Sequence, residues 1–192
     1  MTPRRILFLH GFASSGRYKM ADQLRILLKP AEVLAPDIPA EPEEALRYVR
    51  EVASEYGPDL VVGHSLGCFW AHQLRGVAKA LVNPCFFISE HLRTLPRQMQ
   101  YLSPREDGQR SFAITDAMCE GFARLEAAQF EGLTPGEILH TIAFFADADE
   151  TVRQGDVFAA RYGKPGISYP GGHLPGFPEM KKYIVPEILK SL

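Results

Sequence analysis

Short, unbroken runs of aliphatic residues recur along this chain, and between them lie segments whose apolar positions fall three and four apart. Arg5–Leu9 (RILFL) predicts a buried strand, followed by a loop and an amphipathic helix over Tyr18–Leu28. Glu32–Ala35 (EVLA) predicts a second strand, closed by Pro36-Asp37. Across Glu43–Tyr56 the residues Ala45, Leu46, Val49 and Val52 share one helical face, and Gly57-Pro58 stops the helix. Leu60–Val62 then predicts a strand, Leu66–Arg75 a helix, and Ala80–Val82 a short strand ended by Asn83-Pro84. Late in the chain Thr141–Phe145 (TIAFF) and Gly166–Tyr169 repeat the strand pattern, and Glu179–Leu189 predicts a closing helix. The strand runs are continuously apolar rather than alternating, as expected of strands covered on both faces. Strand–helix alternation around such strands implies a parallel sheet with right-handed crossovers. The expected architecture is one α/β domain over residues 1–192, a three-layer α/β/α sandwich around a mainly parallel sheet of about six strands.

The rhythm breaks between Cys85 and about Pro135. This stretch opens on apolar CFFI, passes through the polar turn SPREDGQR, and enters a segment where Ile114, Met118, Phe122 and Leu125 fall at helical spacing. Thr115 or Asp116 would cap that helix. An insertion of this length suits a lid-like cover over a site, and a helical pair that only completes the core fits the pattern equally well.

Composition narrows the partners. A chain of 192 residues, 46% hydrophobic and 23% charged, suits a soluble globular domain. Its formal net charge of -2 offers no basic surplus for nucleic acid, and no apolar run approaches a membrane span. In MTPRRILFLHGFASS the apolar run Ile6–Leu9 is interrupted at once by His10 and Gly11, too soon for a signal sequence. Cys68, Cys85 and Cys119 form neither a CxxC pair nor a metal-ligand cluster, so reduced core cysteines in a cytoplasmic protein are expected. Self-association stays open.

The chemistry concentrates in LVVGHSLGCFW, residues 60–70. Gly63-His64-Ser65-Leu66-Gly67 is a G-x-S-x-G sequence between a buried-strand signature and a helix, the setting a nucleophile elbow requires. Such a turn forces the serine backbone into a strained conformation, and small residues two before and two after avoid the resulting clash. It also exposes the Ser65 hydroxyl and puts the Leu66 N–H at a helix start, where it can face a developing oxyanion.

A serine nucleophile needs a base, and the base an orienting acid. His10 and His64 lie inside glycine-flanked loops, His72 lies along the helix after Ser65, His91 is in the insertion and His140 precedes a strand. His173, in YPGGHLPGF after the last strand, is the strong base candidate. Past the TIAFF strand, Asp149 is the preferred acid, with Asp147 the alternative and Asp156 a more distant one. The loop LHGFASSG matches an HG-type oxyanion turn with Phe12 as backbone donor. GFASSGRY nearly fits a phosphate-binding loop, but Arg17 and Tyr18 stand where its lysine and hydroxyl residue belong. His64, Phe86, Phe87 and Met118 are candidates for a substrate pocket.

With FLHGF, VVGHSLG, LVNP, DADETV and GGH in that order, the chain resembles the α/β-hydrolase superfamily over essentially its whole length, and more narrowly the small bacterial YqiA/YcfP-like esterases. That resemblance implies a minimal hydrolase fold and serine esterase activity on small acyl esters, with thioesters included as an option. It carries the nucleophile onto Ser65, the acid onto Asp149 and the base onto His173, and it calls for no metal or organic cofactor. Cys68, where related proteins commonly have glycine, and the looser GGHLPGF loop are departures that bear on substrate shape. Two other readings share the fold: a ligand- or partner-binding protein with little turnover, and an acyltransferase or C–C bond hydrolase.

Overall fold

The computed structural model describes residues 3–190 and gathers all the strands expected from the aliphatic runs into one parallel six-stranded sheet. Its elements run β1 (Arg5–Leu9), α1 (Lys19–Leu27), β2 (Glu32–Leu34), α2 (Pro42–Tyr56), β3 (Leu60–His64), α3 (Leu66–Ala71) and β4 (Ala78–Val82). After these come α4 (Ser89–Leu92), the strands β5 (Gln98–Gln100) and β6 (Ser111–Ala113), α5 (Asp116–Ala128), α6 (Pro135–Leu139) and β7 (Thr141–Ala146). The chain then forms α7 (Gly155–Tyr162), β8 (Ile167–Tyr169), α8 (Phe177–Glu179), a π-helical turn over Met180–Ile184 and α9 (Val185–Lys190).

Both faces of the sheet are covered because successive strand residues point opposite ways. Ile6 and Phe8 of β1 join Leu60, Val62, Ala80 and Val82 under α1 and the C-terminal helical stretch, with Met20, Leu24, Met180, Ile184 and Ile188 facing them. Leu7 and Leu9 join Val61 and Leu81 on the other face, beneath α2, α3, α5 and α7. Every one of these strand side chains is fully buried, which explains the absence of polar alternation.

Strand order is β2-β1-β3-β4-β7-β8. The chain therefore steps from β1 outward to β2, then crosses back to place β3 on the other side of β1. That reversal opens a crevice at the carboxyl ends of β1 and β3, where open α/β sheets place ligands. Ser65 and the HGF loop both emerge there.

Three elements depart from expectation. The insertion contains an antiparallel hairpin of β5 and β6, with Gln98 opposite Ala113, outside the main sheet. SPREDGQR is its connecting loop. The helix after Ser65 ends at Ala71 rather than Arg75: the Gln73 and Leu74 N–H groups donate three residues back, to Trp70 and Ala71, and the Gln73 side-chain amide donates to the Phe69 carbonyl at 2.7 Å. Helix α7 was unforeseen; its Phe158 and Tyr162 rings stack at 4.4 Å in the core. Thr115, by contrast, caps α5 as expected, accepting from the Met118 N–H at 3.0 Å. No helix among the described residues is long and apolar enough to cross a membrane.

Candidate active site

The turn after β3 carries the strain that its glycines anticipate. Ser65 sits at φ 54° and ψ -122°, a conformation costly for a residue with a side chain. Backbone bonds hold it there: its N–H donates to Val82 at 3.0 Å, and its carbonyl accepts from Cys68 at 3.0 Å and Cys85 at 3.1 Å. A methyl group on Gly67 would lie 1.9 Å from the Leu9 carbonyl oxygen, and one on Gly63 would lie 2.7 Å from the Cys68 backbone. Side chains at either place would push α3 off β1 and open the turn.

Two distant loops complete a chain of contacts. The His173 Nε2 lies 3.0 Å from the Ser65 Oγ, and its Nδ1 lies 2.7 Å from Asp149 Oδ2. Asp149 is 2% exposed, and its other oxygen accepts from the Thr151 and Val152 N–H groups at 2.7 and 2.9 Å. A buried carboxylate thus has two backbone donors and one imidazole, which fixes its direction. Of the other two acids considered from sequence, Asp147 accepts from Gly171 N–H at 3.0 Å and shapes the histidine loop, and Asp156 sits in the first turn of α7. Neither touches the imidazole.

The peptide behind the imidazole is held from two sides. Asn83 Nδ2 donates to the His173 carbonyl at 2.7 Å and to the Tyr169 hydroxyl at 2.8 Å, while Asn83 Oδ1 accepts from Ala146 N–H at 2.8 Å. His64 Nε2–H donates to the same His173 carbonyl at 2.9 Å. Sequence reading treated Asn83 as the end of a strand and as part of the LVNP motif, with no role for its side chain. Its φ of 47°, tolerated by asparagine better than by most residues, is the local reason that type stands there. Of the two loop glycines, only Gly171 is confined, at φ 153° beside the Tyr169 ring; a methyl on Gly172 meets nothing within 4 Å.

The remaining histidines divide by burial. His64 is pushed down to about 4 by desolvation and lies between the Tyr18 and His173 rings, beneath the site. His10 is likewise lowered to about 4 by burial; its Nδ1–H donates to Gly11 at 2.9 Å and its Nε2 accepts from Ile38 N–H at 3.0 Å. His72 is lowered to about 3 by burial and donates to Gln129 Oε1 at 2.9 Å. His91 and His140 are exposed and away from the site.

The HGF loop lies against the serine. A methyl on Gly11 would stand 3.1 Å from Ser65 Cβ and 3.6 Å from Oγ, so the loop backbone closes on the hydroxyl. Phe12 follows at once, and Leu66 begins α3, where its N–H has no intrahelical carbonyl to meet. Beside these two residues opens a cavity of about 30 Å³ lined by Phe12, Leu66, Trp70, Tyr101, Phe112 and Phe122, among others.

Among the pocket candidates, Phe86 belongs to the core instead: it is fully buried, its ring 5.3 Å from that of His72 and 5.5 Å from that of Phe130. Met118 is also buried and lines, with Glu41 and Glu44, an adjoining depression that shares Pro39, Ala40, Tyr101 and Phe112 with the cavity. Phe87 is 41% exposed, against Phe130. From the Ile114–Leu125 face it is Phe122 that reaches the cavity. Trp70, Tyr101 and Phe112 were missed; the signal was their aromatic character beside the elbow and within the insertion. All three cysteines are buried and reduced. Among the described residues, no group of three or more His, Cys, Asp or Glu side chains is gathered to hold a metal ion.

Comparison with known proteins agrees with this geometry at the level of family and fold. The model of the alpha/beta hydrolase family matches residues 6–185. The esterase domain of a Rhodothermus marinus protein superposes with a TM-score of 0.62 at 23% identity, covering 98% of this chain and 86% of that one. An alpha/beta hydrolase from Novosphingobium aromaticivorans gives 0.62 at 14% identity, covering 100% and 91%. The N-acyl homoserine lactonase AidH, solved with N-butanoyl homoserine, gives 0.59 at 16% identity, covering 99% and 90%. None of the curated proteins matches the chain.

Proposed function

The chain belongs to the alpha/beta hydrolase family, and on that premise we propose that it is a serine hydrolase that cleaves carboxylic esters through an acyl-serine intermediate. The observation that carries the reading is the unbroken run from Ser65 Oγ through His173 to the buried Asp149, at 3.0 and 2.7 Å. Asp149 accepts a hydrogen bond from the Nδ1–H of His173, which leaves the Nε2 lone pair facing the Ser65 hydroxyl. As Ser65 attacks the ester carbonyl, His173 accepts its proton, and Asp149 steadies the imidazolium that forms. The Phe12 and Leu66 amides bind the oxyanion, each such donor lowering the barrier by roughly 3 kcal/mol in related chemistry. His173 then protonates the departing alcohol, and a water activated by the same imidazole releases the acid. The ordered motifs FLHGF, VVGHSLG, LVNP, DADETV and GGH support kinship with the small bacterial YqiA/YcfP-like esterases.

The test is an ester and thioester panel run on the wild type and Ser65→Ala, together with labelling by a fluorophosphonate. Expected are turnover and labelling in the wild type, and a loss of roughly 10³-fold or more in Ser65→Ala. Equal hydrolysis by both proteins overturns the assignment. Binding without turnover or labelling would support a ligand-binding protein, and products formed only with an added alcohol would support an acyltransferase.

A further inference from the structure

The cavity beside Phe12 and Leu66 has an unusual wall. One side comes from the elbow and α5, where the Trp70 and Phe122 rings meet at 5.6 Å. The other comes from the hairpin, which has no part in the main sheet. There the Phe12 ring meets Phe112 edge-on at 5.4 Å, Phe112 meets Tyr101 at 4.8 Å, and the Arg105 guanidinium lies 4.5 Å above Tyr101. The loop that supplies an oxyanion donor and the hairpin that closes the cavity are thus one continuous stack.

That stack is fastened. Leu102 N–H donates to the Ala13 carbonyl at 2.7 Å, and the Ser15 hydroxyl lies 2.9 Å from Ser103 Oγ and donates to Pro104 at 2.7 Å. Asp37 clamps both partners, accepting from Gly16 N–H at 2.7 Å and from Glu106 N–H at 2.6 Å. Arg105, almost wholly buried, donates to the Ile38 carbonyl at 3.1 Å. A wall held at so many points does not slide aside to widen the cavity.

Size then becomes selective. The cavity measures about 30 Å³, whereas an apolar cavity that accepts benzene is on the order of 150 Å³. The space it offers suits a methyl or ethyl group, and a longer tail would have to pass Tyr101 and Phe112, which also line the adjoining depression. Its lining includes Gly11, whose added methyl would stand 3.1 Å from Ser65 Cβ, and Leu66, the residue after the serine, so a group seated there lies within reach of a carbonyl under attack. Resting on the serine-hydrolase reading above, we propose that this cavity is the acyl site and that the hairpin residues Phe112 and Tyr101 restrict the enzyme to esters of two- and three-carbon acids.

The experiment measures kcat/KM for p-nitrophenyl acetate, propionate, butyrate, hexanoate and octanoate on the wild type, Phe112→Ala, Phe112→Leu, Tyr101→Ala and Phe87→Ala. The wild type is expected to favour acetate and propionate over hexanoate by at least about tenfold. Phe112→Ala should raise the hexanoate-to-acetate ratio by about tenfold or more, with Phe112→Leu and Tyr101→Ala moving it less in the same direction. That ratio is taken within one protein sample, so a partly unfolded variant still reports. A flat wild-type profile, or one shifted by Phe87→Ala instead of Phe112→Ala, overturns the proposal while leaving the serine-hydrolase reading intact. Failure of every ester together with failure of Ser65 labelling overturns both.

Discussion

At the level of single residues, the site separates two carboxylates that the sequence left as alternatives. Asp147 stands nearer the strand end, yet its side chain turns to the Gly171 amide, while Asp149 reaches the imidazole. The reason is local: Thr151 and Val152 fold back to donate to Asp149, which aims its second oxygen at His173. We expect Asp149→Asn to lower kcat by about 10³- to 10⁴-fold and Asp147→Asn by less than about tenfold, read from steady-state ester hydrolysis. Asn83 is the residue that spacing could not reveal. It touches neither Ser65 nor the imidazole, and its value lies in tying β4, β7 and the His173 peptide together through one buried amide. Asn83→Ala removes the side-chain bonds to the Ala146 N–H and the Tyr169 hydroxyl and leaves the His173 carbonyl with its His64 bond, at a cost on the order of 2–4 kcal/mol. Urea unfolding should show that loss. In the folded fraction, kcat should fall more than KM rises, because the base is displaced while the acyl cavity is untouched. The order of serine, acid and histidine singled out His173 in the sequence, whereas the burial that keeps His10 and His64 neutral comes from the packing of the loops around them.

Among the elements, the most legible were those whose local pattern and tertiary role agree. Strand β1 has the expected bounds, and α2 starts at the proline just before its expected glutamate. The elbow was legible for a different reason, since Gly63 and Gly67 report a backbone approach that no larger residue survives. Gly67→Ala should therefore destabilise the protein by more than about 3 kcal/mol or prevent folding, because the added methyl meets the Leu9 carbonyl rather than a movable side chain. Gly172→Ala, with open space around it, should stay within about 1 kcal/mol of the wild type by thermal or urea unfolding. Equal effects of the two would refute this account of the elbow. The hairpin was illegible because its strands, QMQ and SFA, contain no run of aliphatic residues and lie outside the strand–helix rhythm of the main sheet. Helix α7 was hidden by the glycine and aspartate at its start, which read as loop until Phe158 and Tyr162 are seen stacked in the core.

Across the whole molecule, the sheet's order could not be read from the chain, because strand neighbours depend on which way each crossover turns. The packing on that sheet buries three histidines, after β1, at the end of β3 and at the end of α3, each in its own surroundings, and together they tie stability to pH. His10 and His64 are lowered to about 4 and His72 to about 3, in each case first by burial; Asp37 opposes this at His10 and Asp149 at His64, while Arg75 and Lys79 reinforce it at His72. Protonating His10 would also break its acceptance of the Ile38 N–H. In the unfolded chain the same rings titrate near 6.5. Between about pH 4 and 6.5 the unfolded state therefore binds more protons, so stability rises with pH through that window and is lost as pH falls. Each ring contributes a slope of about 1.4 kcal/mol per pH unit, so three together approach 4 kcal/mol per unit. Against a total stability of about 5–15 kcal/mol, a fall of two units removes a large share of it. Urea unfolding at fixed pH values should show a plateau above about pH 7 and a steep decline below about pH 6. Replacing His72 by glutamine should reduce that slope by about a third, whatever it does to the plateau. A stability that held constant down to pH 5 would mean that these rings are solvated on a scale their burial denies.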